Sequence, residues 1–282
     1  MGGGISRYHW TRYPARSGGK CSVSDGLQQA LLAISSGSLI GFTLGLIGGG
    51  GSILATPLLI YFVGIKDVHT AIGTGALAVS ANAYLNLIGH AVRGHVWWRC
   101  ALIFTIAGSL GAYFGSSLGK VVGGQSLLFM FGLVMMFVSF VMRNTQGQPG
   151  VTPKSLTART HGKTSVVALL TGLCAGFFGI GGGFLIVPGL LFSTGMPLIN
   201  AVGSSLLAVG TFGLTTAVNY ALSGLIDWRI AGYFIAGGMA GGTIGTMAAT
   251  RLASQRNVLA QIFRWVIFSV SLYVLWRSYA LL

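Results

Sequence analysis

Two clusters of glycine inside long apolar stretches are the residues of this chain best suited to bind a ligand. The first is Gly-Gly-Gly-Gly-Ser over residues 48–52, and the second is Gly-Ile-Gly-Gly-Gly over residues 179–183. Glycine is a poor residue for a helix interior, so each cluster predicts a break in a helix. The helix that resumes after a break begins with unpaired N–H groups and a partial positive charge, which favour an anion. The expected chemistry is therefore anion binding by backbone amides.

Polar side chains in the apolar stretches are the second group of candidate ligands. Hydroxyl and carboxamide groups can donate hydrogen bonds to a partly dehydrated oxyanion without adding a fixed charge. Thr74 and Ser204 are the first choice because they occupy equivalent positions in the two halves of the chain, while Asn82 and Asn86 lie one helical turn apart. The predicted substrate-binding residues are Gly48, Gly49, Gly50, Gly51, Ser52, Thr74, Asn82, Gly179, Gly181, Gly182, Gly183, Ser204 and Ser205.

Both groups of candidates also have a purely structural interpretation. Small residues let membrane helices pack closely, and buried hydroxyls often bond a neighbouring helix or their own backbone. Close packing rarely needs three or four glycines followed by a proline, here Pro57 and Pro188, so the clusters favour a functional site. For any single polar side chain the structural interpretation stays open.

The two clusters belong to a duplication that covers nearly the whole chain. Residues 45–64 match the segment 131 positions later at eight of twenty positions. Residues 71–74 then match residues 201–204 at an offset of 130, and the Trp-Arg pair at 98–99 recurs at 228–229. Transporters often build a substrate site from broken helices at the interface of two such repeats.

The composition predicts an all-α membrane protein. Apolar residues make up 53% of the chain, charged residues make up 7%, and the mean hydropathy is +0.77, which excludes a soluble domain. Because one crossing needs about 20 apolar residues, the 282 residues allow about eight transmembrane helices. The predicted crossings are residues 27–47, 70–90, 99–118, 126–143, 164–180, 199–222, 228–249 and 258–280.

Four crossings in each half predict two homologous four-helix repeats that run parallel to each other. The pieces after the glycine clusters, residues 52–63 and 184–195, are too short to cross alone. Each is therefore expected to be a half-helix or re-entrant segment that follows a glycine-broken helix. The predicted domains are a basic cytoplasmic segment 1–24, a first transmembrane repeat 25–143, a cytoplasmic linker 144–163 and a second transmembrane repeat 164–282.

The net charge of +14 is explained by membrane topology. In the eight-crossing arrangement twelve Lys and Arg residues fall on one side and four on the other. The positive-inside rule then places both termini in the cytoplasm, in a plasma membrane whose lipid surrounds the helices. The basic residues do not alternate with exposed aromatic residues, so no nucleic-acid partner is expected. The sequence does not define an oligomeric state.

Titratable residues are scarce in the predicted crossings. The three acidic residues lie at predicted helix ends or loops, and His69, His90 and His95 are expected to be solvated at the membrane interface. Cation and proton pathways usually use intramembrane Asp, Glu or His, so no coupling ion is expected. The chain shows no activated nucleophile, paired carboxylates, metal-ligand spacing or P-loop, and no catalytic residue, metal or cofactor is predicted.

The glycine segments resemble the two signature segments of the sulfite exporter TauE/SafE family. The resemblance rests on residues 45–51 running to Pro57, on residues 176–183 running to Pro188, and on Asn-Ala-Val-Gly-Ser-Ser at residues 200–205. It implies a small polytopic membrane protein of duplicated halves that exports sulfite, sulfonates or related sulfur anions. It also implies that the glycine segments and the regions of Thr74 and Ser204 form the pathway.

The function expected from the sequence is secondary, ATP-independent export of a small anion, such as sulfite or an organosulfonate. An inside-negative potential favours anion exit by about 2.3 kcal/mol per charge per 100 mV, which permits uniport. A channel-like anion pore could use the same glycines and is the first alternative. A membrane-embedded enzyme is the second, and the missing catalytic groups argue against it.

Overall fold

The computed structural model describes residues 23–141, 158–179, 183–251, 265 and 268–276, which form helices and short connections. A 3₁₀ segment, Gly48–Leu54, follows the first helix. The α-helices are α1 (Val23–Ile47), α2 (Ala55–Tyr61), α3 (Val68–Val92), α4 (Trp98–Val121), α5 (Gly124–Val141), α6 (Ala158–Phe178), α7 (Gly183–Thr194), α8 (Leu198–Ala221) and α9 (Trp228–Arg251). A further helical stretch covers residues 268–276.

Length and apolarity mark four of these helices as able to cross a membrane. Their apolar spans are Gly26–Ile47, Val68–Val92, Trp98–Val121 and Ile199–Ala221. The central pair α3 and α8 is mostly buried in protein, whereas α1 and α4 expose apolar side chains such as Leu31 and Phe114. This pattern is typical of a multi-pass bundle in which α3 and α8 form the centre and the outer helices face lipid.

Both glycine clusters break a helix where the sequence predicts a break. The first helix ends at Ile47 and α6 ends at Phe178. The next residues, Gly48 and Gly179, have φ angles of +71° and +64°. A left-handed φ is inexpensive only for glycine, which explains why glycine occupies both positions.

The segment after the first break returns along the whole length of α1. Gln29, near the start of α1, donates a side-chain hydrogen bond to the carbonyl oxygen of Val63, after α2, at 3.3 Å. At about 2.0 Å per 3₁₀ residue and 1.5 Å per α residue, the two pieces span about 25 Å. In the second half, the Lys163 ammonium group donates to the carbonyl oxygen of Phe192 at 3.1 Å, so α7 returns along α6 in the same way. Each break is therefore followed by a short helix, as expected, and this helix runs back along the helix before it.

The two halves run in opposite directions. Gly73 lies against Leu225, Ser80 donates to the Gly210 carbonyl oxygen at 2.6 Å, and Gly203 lies against the His95 carbonyl, so α3 and the region of α8 are antiparallel. Because α3 and α8 are equivalent in the sequence repeat, a two-fold axis perpendicular to the helices relates the halves. The predicted parallel repeats are wrong, since each return segment adds one reversal of direction to its half.

Glycine also lets the two halves interlock. The first helix packs along α9, where a Cβ on Gly41 would overlap the backbone of Gly238. The equivalent pair is α4 with α6, where a Cβ on Gly172 would overlap the backbone of Gly108. The first half therefore contributes α1 to one pair and α4 to the other, and the second half contributes α9 and α6. The two halves share one core.

Aspartates cap the starts of α3 and α9. Asp67 accepts hydrogen bonds from the backbone N–H and the hydroxyl of Thr70 at the start of α3, at 2.8 and 2.6 Å. Burial by itself would raise the pKa of Asp67, but these bonds hold it below its usual value. Asp227 accepts from the backbone N–H groups of Arg229 and Ile230 at the start of α9. These carboxylates are helix caps at the bundle ends, as the sequence predicts.

Candidate functional site

The two helix breaks touch each other through their backbones. A Cβ placed on Gly49 would lie 2.5 Å from the Cα and carbonyl oxygen of Gly183, and a Cβ on Gly183 would overlap the Gly49 carbonyl. No side chain fits between these residues. The structure thus brings the two glycine clusters, far apart in sequence, into one site between the inverted halves.

The surroundings of each break repeat with the two-fold relation. Gly48 packs against Val202 of α8, and Gly179 packs against Ile72, the equivalent residue of α3. A Cβ on Gly48 would lie 2.9 Å from the nearest Val202 methyl group, and one on Gly179 would overlap the Ile72 side chain. The central helices α3 and α8 therefore form opposite walls of the site.

Two buried serines make the first break more polar than the second. Ser205 accepts a hydrogen bond from the Gly49 N–H at 3.3 Å and donates to the Val202 carbonyl oxygen at 2.7 Å. Ser52 donates to the Gly49 carbonyl oxygen at 2.8 Å, and both serine side chains have no exposed surface. In the sequence repeat, Ser52 corresponds to Gly183, and Ser205 also corresponds to a glycine. Both hydroxyl groups therefore lie at the first break, and the second break has no equivalent of either.

Thr74 and Ser204 each hold the opposite half of the molecule. The Thr74 hydroxyl accepts from the Asp227 backbone N–H at 2.9 Å, and the Ser204 hydroxyl accepts from the Trp97 backbone N–H at 2.9 Å. Both side chains are fully buried. These contacts match the structural interpretation left open by the sequence, while each hydroxyl keeps its hydrogen as a donor. Their participation in substrate binding stays a prediction.

The predicted asparagines face the glycine-lined groove between α1 and α9. Asn82 is fully buried against Gly238, and neither its Nδ2 nor its Oδ1 atom has a hydrogen-bond partner. Asn86 lies against Gly242 and reaches the Gly41 carbonyl oxygen only at 3.5 Å. A buried carboxamide without partners is costly, so Asn82 is a site at which water or a ligand would be stabilised.

The equivalent face of α8 is not polar in the same way. Phe212 takes the place of Asn82 and packs against Gly108, with its ring centroid 6.3 Å from that of Phe104. Thr216 takes the place of Asn86, and its buried hydroxyl has no partner. The polar groove is therefore a property of one half, which the sequence indicates by the loss of the asparagine pair in the second repeat.

His90 is the clearest residue that the sequence analysis misplaced. It is only 1% exposed, and its Nε2 lies 3.1 Å from the carbonyl oxygen of Gly45 in α1. The expectation of a solvated histidine is wrong because the glycine face of α1 lets α3 approach closely enough to cover the imidazole ring. The signal was present in the sequence, since Asn82, Asn86 and His90 recur every four residues and so share one helix face.

A polar cluster around Lys120, a residue that the sequence analysis did not place in the site, joins the ends of α4 and α8. The Lys120 ammonium group donates to the Asn219 side-chain oxygen at 2.7 Å and to the Ser223 hydroxyl at 3.0 Å. Asn219 in turn donates to Ser116 at 2.7 Å. A cleft of about 330 Å³ beside it is lined by Tyr113, Thr211, Leu214, Thr215, Val218, Asn219 and Leu222.

The remaining predicted site residues lie along the first break or outside the described residues. Gly51 packs against Thr43, where a Cβ would lie 2.5 Å from the threonine hydroxyl oxygen. Gly50 belongs to the same 3₁₀ segment. Gly181 and Gly182 lie outside the described residues.

Comparison with known proteins decides the family. The sequence profile described as "Sulfite exporter TauE/SafE" matches residues 33–274, which include both breaks and helices α2 to α9. The chain belongs to the sulfite exporter TauE/SafE family. This confirms the resemblance drawn from the glycine segments, and it makes the chain a multi-pass membrane transporter of the TauE/SafE family.

Named relatives match this chain over most of its length. A protein of Xylella fastidiosa (strain 9a5c) named "Probable membrane transporter protein" is 56% identical over 255 residues, which cover 90% of this chain and 98% of the relative. The Bacillus subtilis (strain 168) protein named "Probable membrane transporter protein YunE" is 26% identical over 262 residues, which cover 85% of this chain and 95% of that protein. No solved structure matches the chain.

Proposed function

We propose that this TauE/SafE protein is a secondary carrier that exports a small sulfur oxyanion, such as sulfite or an organosulfonate, without ATP. The observation that carries the proposal is the backbone contact between Gly49 and Gly183. It places two helix breaks from oppositely directed halves at one point, which is the arrangement that carriers use for a central substrate site.

The chemistry of the breaks favours an anion. The proposed ligands are backbone N–H groups of residues 48–52 and 179–183, where glycine lets an oxyanion approach the backbone closely. The hydroxyl groups of Ser52 and Ser205 lie at the same point and can donate to the anion after a small rotation. Carboxylates are confined to helix ends among the described residues, so nothing there repels a negative charge.

Alternating access follows from the direction of the halves. When one half tilts against the other, the site would open to one side of the membrane, and the reverse tilt would open it to the other side. The two-fold relation gives these two states equivalent contacts. Thr74 and Ser204 each bond an equivalent loop of the opposite half. One of these hydrogen bonds would be strained in each of the two states. We infer that each hydrogen bond lies at one of the two openings through which the anion would enter or leave the site.

The proposed topology has five crossings in each half, in the plasma membrane, with both termini in the cytoplasm. Because α1 and α6 run in opposite directions, the linker before α6 would lie on the side opposite the N-terminus. The basic residues then divide about evenly between the two sides, so the positive-inside rule no longer decides the orientation. The cytoplasmic placement of the termini therefore needs its own measurement.

Efflux from reconstituted liposomes tests the proposed substrate class. Vesicles containing the full chain are loaded separately with sulfite, sulfate, thiosulfate, ethanesulfonate or chloride, and an inside-negative potential is imposed with potassium and valinomycin. We expect efflux of one or more sulfur anions at least about tenfold faster than that of chloride, since an uncharged donor site discriminates by shape and by the number of oxygens it can bond. Equal efflux of all five anions would contradict a substrate site and favour an open pore.

A further inference from the structure

A pair of histidines lies beside the first helix break. His90, near the end of α3, is buried, and its ring centroid lies 5.8 Å from that of His95 in the following connection. Neither Nδ1 atom has a hydrogen-bond partner. Two imidazole groups covered by protein and lacking a carboxylate partner within the described residues need an explanation other than helix capping.

The contact to α1 fixes which nitrogen of His90 is basic. The Gly45 carbonyl oxygen can only accept, so Nε2 must carry a hydrogen and donate to it at 3.1 Å. In the neutral ring Nδ1 then has a free lone pair and no donor facing it. His90 is thus held in the tautomer that can take up one further proton at Nδ1.

Burial and the nearby positive groups His95 and Arg93 disfavour a proton on the His90 ring, whereas the bond to Gly45 at the end of α1 favours it. Gly45 lies in the last turn of α1, whose C-terminal end carries a partial negative charge that favours a cation. The other charged or titratable groups near His90 are His95 and Arg93, while α1 and α9 present Gly45 and Thr246 to this part of α3. Since two imidazolium rings so close would repel each other, the pair holds one proton at a time.

The proton site is connected to the proposed anion site by three residues of backbone. Gly45 precedes Gly48, where the chain turns into the 3₁₀ segment. On the other side, the connection that holds His95 donates from Trp97 to Ser204, next to the Ser205 hydroxyl that bonds Gly49. A positive charge at His90 therefore acts on the same break that would receive a negative ligand.

We propose that His90, paired with His95, is a proton-binding site that is linked to anion binding at the glycine breaks, so that the transported anion travels with a proton. This inference rests on the proposed anion site. The sulfite dianion bound together with one proton still carries one net negative charge, so an inside-negative potential continues to favour its exit, whereas a monoanion such as ethanesulfonate would move with a proton without net charge. The linkage replaces the pure anion uniport expected from the sequence.

Binding of a non-titrating anion tests the linkage on the detergent-solubilised full chain. Ethanesulfonate is the probe because it takes up no proton near neutral pH, so any pH effect belongs to the protein. We expect its affinity to be about tenfold higher at pH 5.5 than at pH 8, within the usual range of coupling between two sites. Wild-type protein should also take up a fraction of a proton per anion bound at neutral pH, measured with a pH indicator in weak buffer.

The variant His90→Gln keeps a donor for the Gly45 carbonyl but cannot hold a proton. We expect it to bind ethanesulfonate with one affinity at both pH values and to show no proton uptake. His69→Gln is the matched control, because His69 also has a buried Nδ1 without a partner but lies at the opposite end of α3. This control should keep the wild-type pH dependence.

The outcomes separate the two proposals. Anion binding by the wild-type protein that is independent of pH, without proton uptake, would overturn the linkage and leave the anion site intact. Unchanged pH dependence in His90→Gln would overturn the assignment to this residue. If His90→Gln does not fold, the proton uptake of the wild-type protein alone decides for or against linkage. If the wild-type protein binds none of the sulfur anions at either pH, both proposals fall together.

Discussion

Replacing Gly183 by alanine is expected to abolish anion efflux, and replacing Gly49 by alanine to reduce it at least about tenfold. The added Cβ of Gly183→Ala would overlap the carbonyl of Gly49, and both neighbours are backbone that cannot rotate away. The two halves must then separate at the point where the substrate is proposed to bind. Overpacking of this kind costs about 1–3 kcal/mol or more, which is enough to suppress one state of a carrier.

A matched glycine controls for the substitution itself. Gly232 of α9 has open space where a Cβ would lie, so Gly232→Ala should transport at the wild-type rate. Efflux is measured in proteoliposomes with equal amounts of each variant, after size-exclusion chromatography has established that each remains folded. A folded Gly183→Ala protein that transports normally would show that the contact of the two breaks is not part of the pathway.

Cysteine labelling is expected to divide the connections into two groups that only inverted halves predict. In a background with the native cysteines replaced by alanine, Gly26→Cys and Lys66→Cys should react with a membrane-impermeant maleimide from one side. Arg93→Cys and Gly162→Cys should react only from the other side. The reason is that residues 48–63 return the chain to the level of Gln29, so Lys66 lies on the same side as the start of α1.

Parallel halves predict a different grouping of the same four positions. In that arrangement Lys66→Cys alone would react from the side opposite to the other three. All four positions are exposed in the structure, so poor reactivity does not confuse the result. The side that labels in intact cells also gives the orientation of the N-terminus, which tests the proposed cytoplasmic location.

Local features of the site could be predicted from the sequence because glycine has few reasons to cluster in a helix. Gly48 and Gly179 mark the ends of α1 and α6, and their left-handed φ angles exclude most other residues. The repeat offset also identified Thr74 and Ser204 as equivalent, and the structure places them in equivalent hydrogen bonds. Their partners, however, belong to the opposite half, and a repeat gives no information about which half a residue contacts.

The direction of the halves could not be predicted because it depends on one short segment. Residues 48–61 return along α1 by combining a 3₁₀ segment with a seven-residue helix, and a 3₁₀ segment rises further per residue than an α-helix. An estimate based on α-helix length alone therefore gave this segment too short a reach to return along α1. In the proposed topology of five crossings per half, the basic residues from Lys66 to Lys163 change sides, which alters the charge count.

Burial was the other property that the sequence could not provide. The sequence places Asn82 in the middle of a helix and His90 near its end, but it does not show that either is buried. Both are buried because glycines of α1 and α9 let neighbouring backbones approach them closely. Which helix packs on a polar face is decided by contacts between helices that are distant in the sequence. These contacts join residues 45 to 156 positions apart, so the spacing of the polar residues shows their shared face but not the helix that covers it.

Counterflow in proteoliposomes is the measurement that tests the central claim most directly. Vesicles containing the protein are loaded with excess unlabelled sulfite and diluted into a trace of radiolabelled sulfite, with no membrane potential. A carrier whose single anion site alternates between the two sides should accumulate the label transiently above its equilibrium level, and Gly183→Ala should not. Simple equilibration of the label without an overshoot would contradict alternating access, and no uptake of label would contradict sulfite as a substrate.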